Sequence, residues 1–165
     1  MSTILRLVLL SAVAGAMLAQ PSSTKTRDRF IGVWKLVSCQ LKSANGDLSY
    51  PYGQEPVGRI AYDKAGRMSA TLMRRGRPGS YTRDSLNKTS REDLAEVLRG
   101  FTAYFGTFDV DESTHTVIHH VEASIYPSNV GTDLKRTYEF AGNQLILTAV
   151  MTQGIMRLVW ERLPD

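Results

Sequence analysis

All three histidines of the chain, His115, His119 and His120, fall inside one stretch, residues 102–126. Two alternating runs, 102–110 and 116–126, flank the polar segment Asp111-Glu112-Ser113-Thr114-His115, which is the pattern of a β-hairpin. Neighbours on a strand point to opposite faces. His119 therefore shares a face with Val117, Val121, Ala123 and Ile125, whereas His120 sits with Ile118, Glu122, Ser124 and Tyr126. The first face is the more apolar and belongs inside, so His119 is the candidate for acid–base chemistry near neutral pH. In the next strand Leu134, Arg136, Tyr138 and Phe140 share a face that is apolar except for Arg136. A guanidinium turned inward needs an anion or several acceptors. A carboxylate, enolate or phenolate of a ligand would serve, and so would a buried Glu or backbone carbonyls.

Tyr104, Gly106 and Phe108 share a third face, with Tyr62 and Met68 expected across the interior. Each of these aromatics could simply fill a core. Together with Trp34, His119, Arg136 and Tyr138 they make a polar-dotted apolar pocket, the kind of surface that binds a flat apolar molecule. In an enzyme, His119 and Arg136 would be the catalytic pair, with Arg136 and Tyr104 stabilising negative charge on an oxygen. Metal binding is not expected. His119 and His120 cannot reach one ion from the same side of a strand, and no Cys or third nearby His completes a set. No motif calls for a cofactor, and nothing resembles a nucleophile elbow, a phosphate loop or a paired-carboxylate dyad.

The elements that must hold these residues are mostly strands. The alternation predicts strands over 33–41, 57–62, 67–73, 102–110, 116–126, 132–140, 144–152 and 155–163, with Asn45-Gly46, Asp63-Lys64-Ala65-Gly66, Ala141-Gly142-Asn143 and Gln153-Gly154 as turns. In the first strand Trp34, Leu36 and Ser38 share one face, and Val33, Lys35, Val37 and Cys39 the other. Residues 50–56 carry two prolines and are expected as a loop across a barrel mouth. Residues 74–81 form a long irregular excursion, and both loops are lid candidates. A helix starts at Ser90, boxed by Asp93, and presents Leu94, Val97, Leu98 and Phe101 as an apolar stripe. A helical turn over 28–31 delivers the chain into the first strand. Eight antiparallel strands joined by short turns best avoid free edges by closing into an up-and-down β-barrel with one inserted α-helix. A two-sheet sandwich is the competing arrangement.

Size and charge narrow the class. The 165 residues give room for one domain, at net charge +4. Arg6, the apolar run 7–19 and its small residues read as a secretory signal peptide over 1–19, followed by a linker over 20–28 and a domain over 29–165. Cleavage removes Arg6 and leaves 19 basic and 16 acidic residues, net +3. That is a weak bias. The cluster Arg74-Arg75-Gly76-Arg77 has no nucleic-acid motif beside it and reads as a solvated loop. The single Cys39 has no partner for an internal disulfide. The expected product is a secreted or periplasmic protein, free of the membrane after cleavage, a monomer or homodimer, with no nucleic-acid partner.

Gly32-Val33-Trp34 opening the first strand and Trp160-Glu161-Arg162 ending the last resemble the lipocalin closure. The stretches FIGVWKLVS, YPYGQEPVGRIAY, GRMSATLMR, YFGTFDVD, HHVEASIYPSNVGT and LVWER resemble the bacterial and fungal lipocalin-like domain proteins across residues 29–162. The resemblance implies a calycin-type β-barrel with an internal cavity, and a first-strand Trp packed at the floor beside an Arg from the far end of the chain, here Arg162. Similar barrels in natural-product pathways act as cyclases or isomerases on bound polyketide-like substrates. Three functions therefore stand open: a barrel binding a small apolar or amphipathic molecule that bears an oxygen anion or carbonyl, an isomerase, cyclase or lyase, and an interaction module with a filled interior.

Overall fold

The computed structural model describes residues 23–77 and 83–164. The signal peptide expected over 1–19, the start of the expected linker, and part of the 74–81 excursion lie outside those residues. Among these described residues nine strands form: β1 (Gly32–Lys42), β2 (Leu48–Ser49), β3 (Val57–Tyr62), β4 (Arg67–Met73), β5 (Phe101–Asp111), β6 (Thr116–Ser124), β7 (Asp133–Ala141), β8 (Gln144–Met151) and β9 (Gly154–Arg162). Every neighbouring pair is antiparallel in chain order, and β1 pairs with β9, from Trp34 opposite Arg162 to Lys42 opposite Ile155. The eight expected strands thus close into a barrel, which removes the sandwich. The two-residue β2 is an addition, a short hairpin arm that pairs Leu41 with Ser49 around Asn45-Gly46.

Two bulges decide which residues face inward. Between Leu36 and Ser38 the β1–β9 register shifts. Trp34 and Leu36 are buried, Val37 is exposed, and Cys39 rather than Ser38 turns inside. The expected face assignment therefore fails after the bulge, because one extra residue reverses the alternation. Burial pushes the Cys39 thiol up to about 12. The second bulge lies on β6 opposite Phe105 and Gly106, where the partners jump from Ala123 to Val121. It depends on Gly106, since a Cβ there would meet the His120 carbonyl oxygen at 1.9 Å.

α1 (Ser23–Phe30) is the main departure. The polar run expected as a linker and a single helical turn is a helix of 8 residues. Its local composition gives little helical signal, so packing onto the barrel end decides the conformation. Phe30 is fully buried and meets Tyr62, Tyr138 and Phe140 edge-on, with centroids 5.0–5.4 Å apart. Arg27 lies over the Phe108 ring and Arg29 over Phe140. α2 (Arg91–Arg99) starts at Ser90, whose hydroxyl accepts from the Asp93 amide and donates to the Asp93 carboxylate. Its stripe buries less than expected: no α2 residue is buried, Leu98 is exposed, and Phe101 belongs to β5.

On the outer face His120 stitches three strands together. Its ring nitrogens meet Asp133 of β7 at 2.6 Å and Asp109 of β5 at 3.1 Å. The hydrogen bond to Asp133, aided by Asp109, raises its pKa.

Candidate functional site

The barrel interior is built in three layers, of which the first is a floor. Trp34 is 1% exposed and its indole Nε1 donates to the Phe30 carbonyl at 2.8 Å. Arg162 stacks its guanidinium 4.1 Å from the Trp34 ring and donates to the carbonyls of Ile31 (2.6 Å) and Arg29. Gly32 makes room for it: φ is +127°, and a Cβ there would lie 2.7 Å from Arg162 Nη1. Arg162 therefore takes the floor role that the resemblance implies. Trp34, Phe108 and Tyr138 belong to this layer or its rim, packed around Phe30 or against its ring partners. Met68 is buried between Tyr62 and Gly106, its cross-strand neighbours.

The middle layer is a three-residue relay. His119 is completely buried, with Tyr62 Oη 2.8 Å from its Nε2 and Tyr104 Oη 2.9 Å from its Nδ1. Desolvation, then the charge of Arg136, holds its pKa well below the ordinary imidazole value, so the ring stays neutral. Burial likewise raises both tyrosines, well above the ordinary value for Tyr62. A neutral imidazole has one donor and one acceptor, and both are engaged by the protein.

Above the relay the barrel opens into a cavity of about 770 Å³. The filled-interior reading is thereby excluded. Leu147 and Ala149 of β8, Met156, Leu158 and Trp160 of β9, Ile60 of β3 and Leu72 of β4 supply apolar wall. Pro51 and Tyr52 reach in from the 50–56 loop, which does lie at this mouth. Of the eight expected pocket residues, Tyr104 and Arg136 line the cavity. Trp34, Tyr62, Met68, Phe108, His119 and Tyr138 lie below or beside it, in the floor and relay layers. Arg136 makes no ion pair among the described residues, so the buried Glu considered as its partner is not there; it faces the cavity half-buried.

Several wall residues escaped the sequence reading, Met156, Leu158, Trp160 and Tyr52 among them. Met156, Leu158 and Trp160 alternate along β9, so a period-2 reading of that strand could have placed them together. Tyr52 had no such signal, because it enters from a loop; its hydroxyl lies 2.6 Å from Thr102 Oγ1. No cluster of His, Cys, Asp or Glu among the described residues has the geometry to hold a metal.

A closed antiparallel barrel with a plugged floor and an open internal cavity defines a lipocalin-like architecture. The family model of the lipocalin-like domain matches residues 31–162, and the chain belongs to that family. A curated relative, the 4'-hydroxy-3'-methoxypropiophenone carrier protein of Aspergillus oryzae (strain ATCC 42149 / RIB 40), is 38% identical over 109 residues, covering 59% of this chain and 97% of that protein. Among solved structures, a lipocalin-like protein from Bacteroides uniformis ATCC 8492 aligns with TM-score 0.43 at 14% identity, covering 82% of this chain and 99% of that one. A redesigned β-barrel aligns with TM-score 0.41 at 10% identity, covering 84% and 95%.

Proposed function

We propose that this barrel binds a small amphipathic, oxygen-bearing molecule in its cavity and carries it without transforming it. The observation that carries the reading is the cavity of about 770 Å³ above a sealed floor, within the ~300–1,000 Å³ range of small-molecule sites. The relative named as a carrier of a hydroxylated, methoxylated aryl ketone supports the same reading and suggests the ligand class. The enzyme alternative is weaker. His119 has no ring nitrogen free to meet a substrate, and burial keeps it from holding a proton at neutral pH. The apolar run over 7–19 supports, as part of the same proposal, a carrier that works in a secreted or periplasmic space.

Isothermal titration with 4'-hydroxy-3'-methoxypropiophenone tests the proposal. One equivalent should bind the wild-type barrel. Ala149→Trp, which pushes an indole into the cavity from β8, should weaken binding at least tenfold while the barrel still melts cooperatively. Equal heats for the two proteins, or none for the wild type, would sink the carrier reading for this ligand class.

A further inference from the structure

We propose that the cavity takes its ligand as an oxygen anion, the phenolate of an acidic phenol, and that Arg136 is the residue that pairs with it and selects it. The proposal rests on the carrier reading above and names the ionisation state of the ligand that the cavity accepts.

The first observation is an unpaired cation on the inner face. Arg136 stands opposite Val117, which is fully buried, and cross-strand partners point to the same side of a sheet. It lines the cavity together with Leu134, two residues away on the same face of β7. Arg136 is half-buried, and among the described residues it makes no hydrogen bond and no ion pair. The floor shows the contrast, since Arg162 gives its donors to the carbonyls of Ile31 and Arg29. Arg136 keeps its guanidinium donors for what enters the cavity.

The second observation is that no negative charge of the protein faces this cation among the described residues. Asp133 is the one carboxylate in the cavity lining, and it is spent on His120 at 2.6 Å. Lys135 adds a second, exposed cation to the same lining. Inside the barrel the Arg136 charge reaches Tyr62 on β3, Tyr104 on β5 and His119 on β6. Burial acts first on all three, raising the tyrosines and lowering the histidine, so each stays neutral near pH 7. Burial also raises Tyr138, next along the same face, and Tyr52, which enters from the 50–56 loop. The Tyr126 hydroxyl donates to the carbonyls of Leu98 and Phe101. On β8, the other neighbour of β7, the lining residues Leu147 and Ala149 do not titrate.

An apolar ligand that fills the cavity strips water from the guanidinium, and a charge desolvated without a partner is costly. A ligand that brings its own negative oxygen replaces that cost with a hydrogen-bonded ion pair. A phenolate suits this apolar wall better than a carboxylate does, because its charge spreads into the ring and is cheaper to desolvate. The pH dependence of binding then belongs to the ligand and not to the groups around Arg136.

Two probes of nearly one shape test this. In 4'-hydroxy-3'-methoxypropiophenone the para carbonyl lowers the phenol pKa by about two units from the tyrosine value of about 10. In 3',4'-dimethoxypropiophenone a methyl ether replaces the phenol and cannot ionise. The phenolate absorbs at longer wavelength than the phenol, so a pH titration of the bound ketone reads its ionisation directly. Bound to the wild type, the ketone should ionise about one pH unit or more below the free ketone. Near neutral pH it should also bind about tenfold more tightly than the ether. Arg136→Gln should return the ionisation of the bound ketone to the free value or above and erase the preference, with the ether bound as before. Should Arg136→Gln fail to fold, the wild-type titration and the ether comparison decide alone. A bound ketone that ionises no more readily than the free one, or equal affinities for the two probes, would overturn the anion pairing and leave the carrier reading intact. A lowered ionisation that survives in Arg136→Gln would overturn Arg136 as the partner. Absence of binding by both probes would overturn the carrier reading, and the pairing with it.

Discussion

His119→Leu is expected to destabilise the barrel by about 2–4 kcal/mol, a fall in Tm on the order of 10 °C. The leucine fills comparable space but pairs with nothing. Tyr62 and Tyr104 each lose the ring nitrogen that their buried hydroxyls pair with. Removing the first orphan as well should recover part of the loss, so Tyr62→Phe in the His119→Leu background is expected to be more stable than His119→Leu alone, although Tyr62→Phe alone costs stability. That non-additivity is what contact within one hydrogen-bonded unit produces. The pH dependence has a definite sign. The buried ring refuses a proton that the unfolded chain accepts below about 6.5, the ordinary imidazole value. The unfolded wild type therefore gains proton-binding free energy as pH falls from there, and His119 subtracts stability on the acid side. The leucine variant escapes that loss, so its penalty should be larger at neutral pH than in acid. Urea melts of the four proteins at two pH values check the whole relay. A penalty that grows in acid would contradict a neutral, buried His119.

Trp34→Ala should be the most damaging single change in the floor, about 3–5 kcal/mol. It removes a fully buried indole, the acceptor face under Arg162, and the hydrogen bond that ties α1 to β1 through Phe30. Arg162 would keep its bonds to the carbonyls of Ile31 and Arg29 but lose the surface that desolvates it. Gly32→Ala attacks the same seal from its other side, because its methyl group needs the space of Nη1. Thermal melts should place both variants far below wild type, with Trp34→Ala lower. A Tm for Trp34→Ala within a few degrees of wild type would mean that the floor is held mainly by α1 and its phenylalanine cluster.

The strands and their turns were legible because alternation and turn residues are local signals. β3 and β4 match their expected bounds, and the Asn45-Gly46 turn even produces a short extra pair. Face assignments held wherever the alternation ran unbroken, as for Trp34, Leu36, Val117 and His119. They failed past the bulge at Val37, since a bulge has no composition that announces it until the partner strand is known. α1 was legible only as a turn, because Phe30 and the rings it meets come together from distant parts of the chain. The inward direction of His119 and Arg136 was legible. Depth along the barrel was not: alternation tells inside from outside, but not whether an inward residue joins the floor, the relay or the cavity. Trp34, Tyr62, Phe108 and Tyr138 all went inward and stopped short of the cavity for that reason. Trp160, read first as part of the closure, stands in the cavity wall instead.

The central claim is that the cavity carries an oxygen-bearing small molecule, and native mass spectrometry of the purified protein tests it most directly. The account predicts a single small-molecule adduct on the wild type, restored by incubation with 4'-hydroxy-3'-methoxypropiophenone if purification strips it, lost on denaturation and absent from Ala149→Trp. Identical, adduct-free spectra for wild type and Ala149→Trp, even with the ketone in excess, would contradict it.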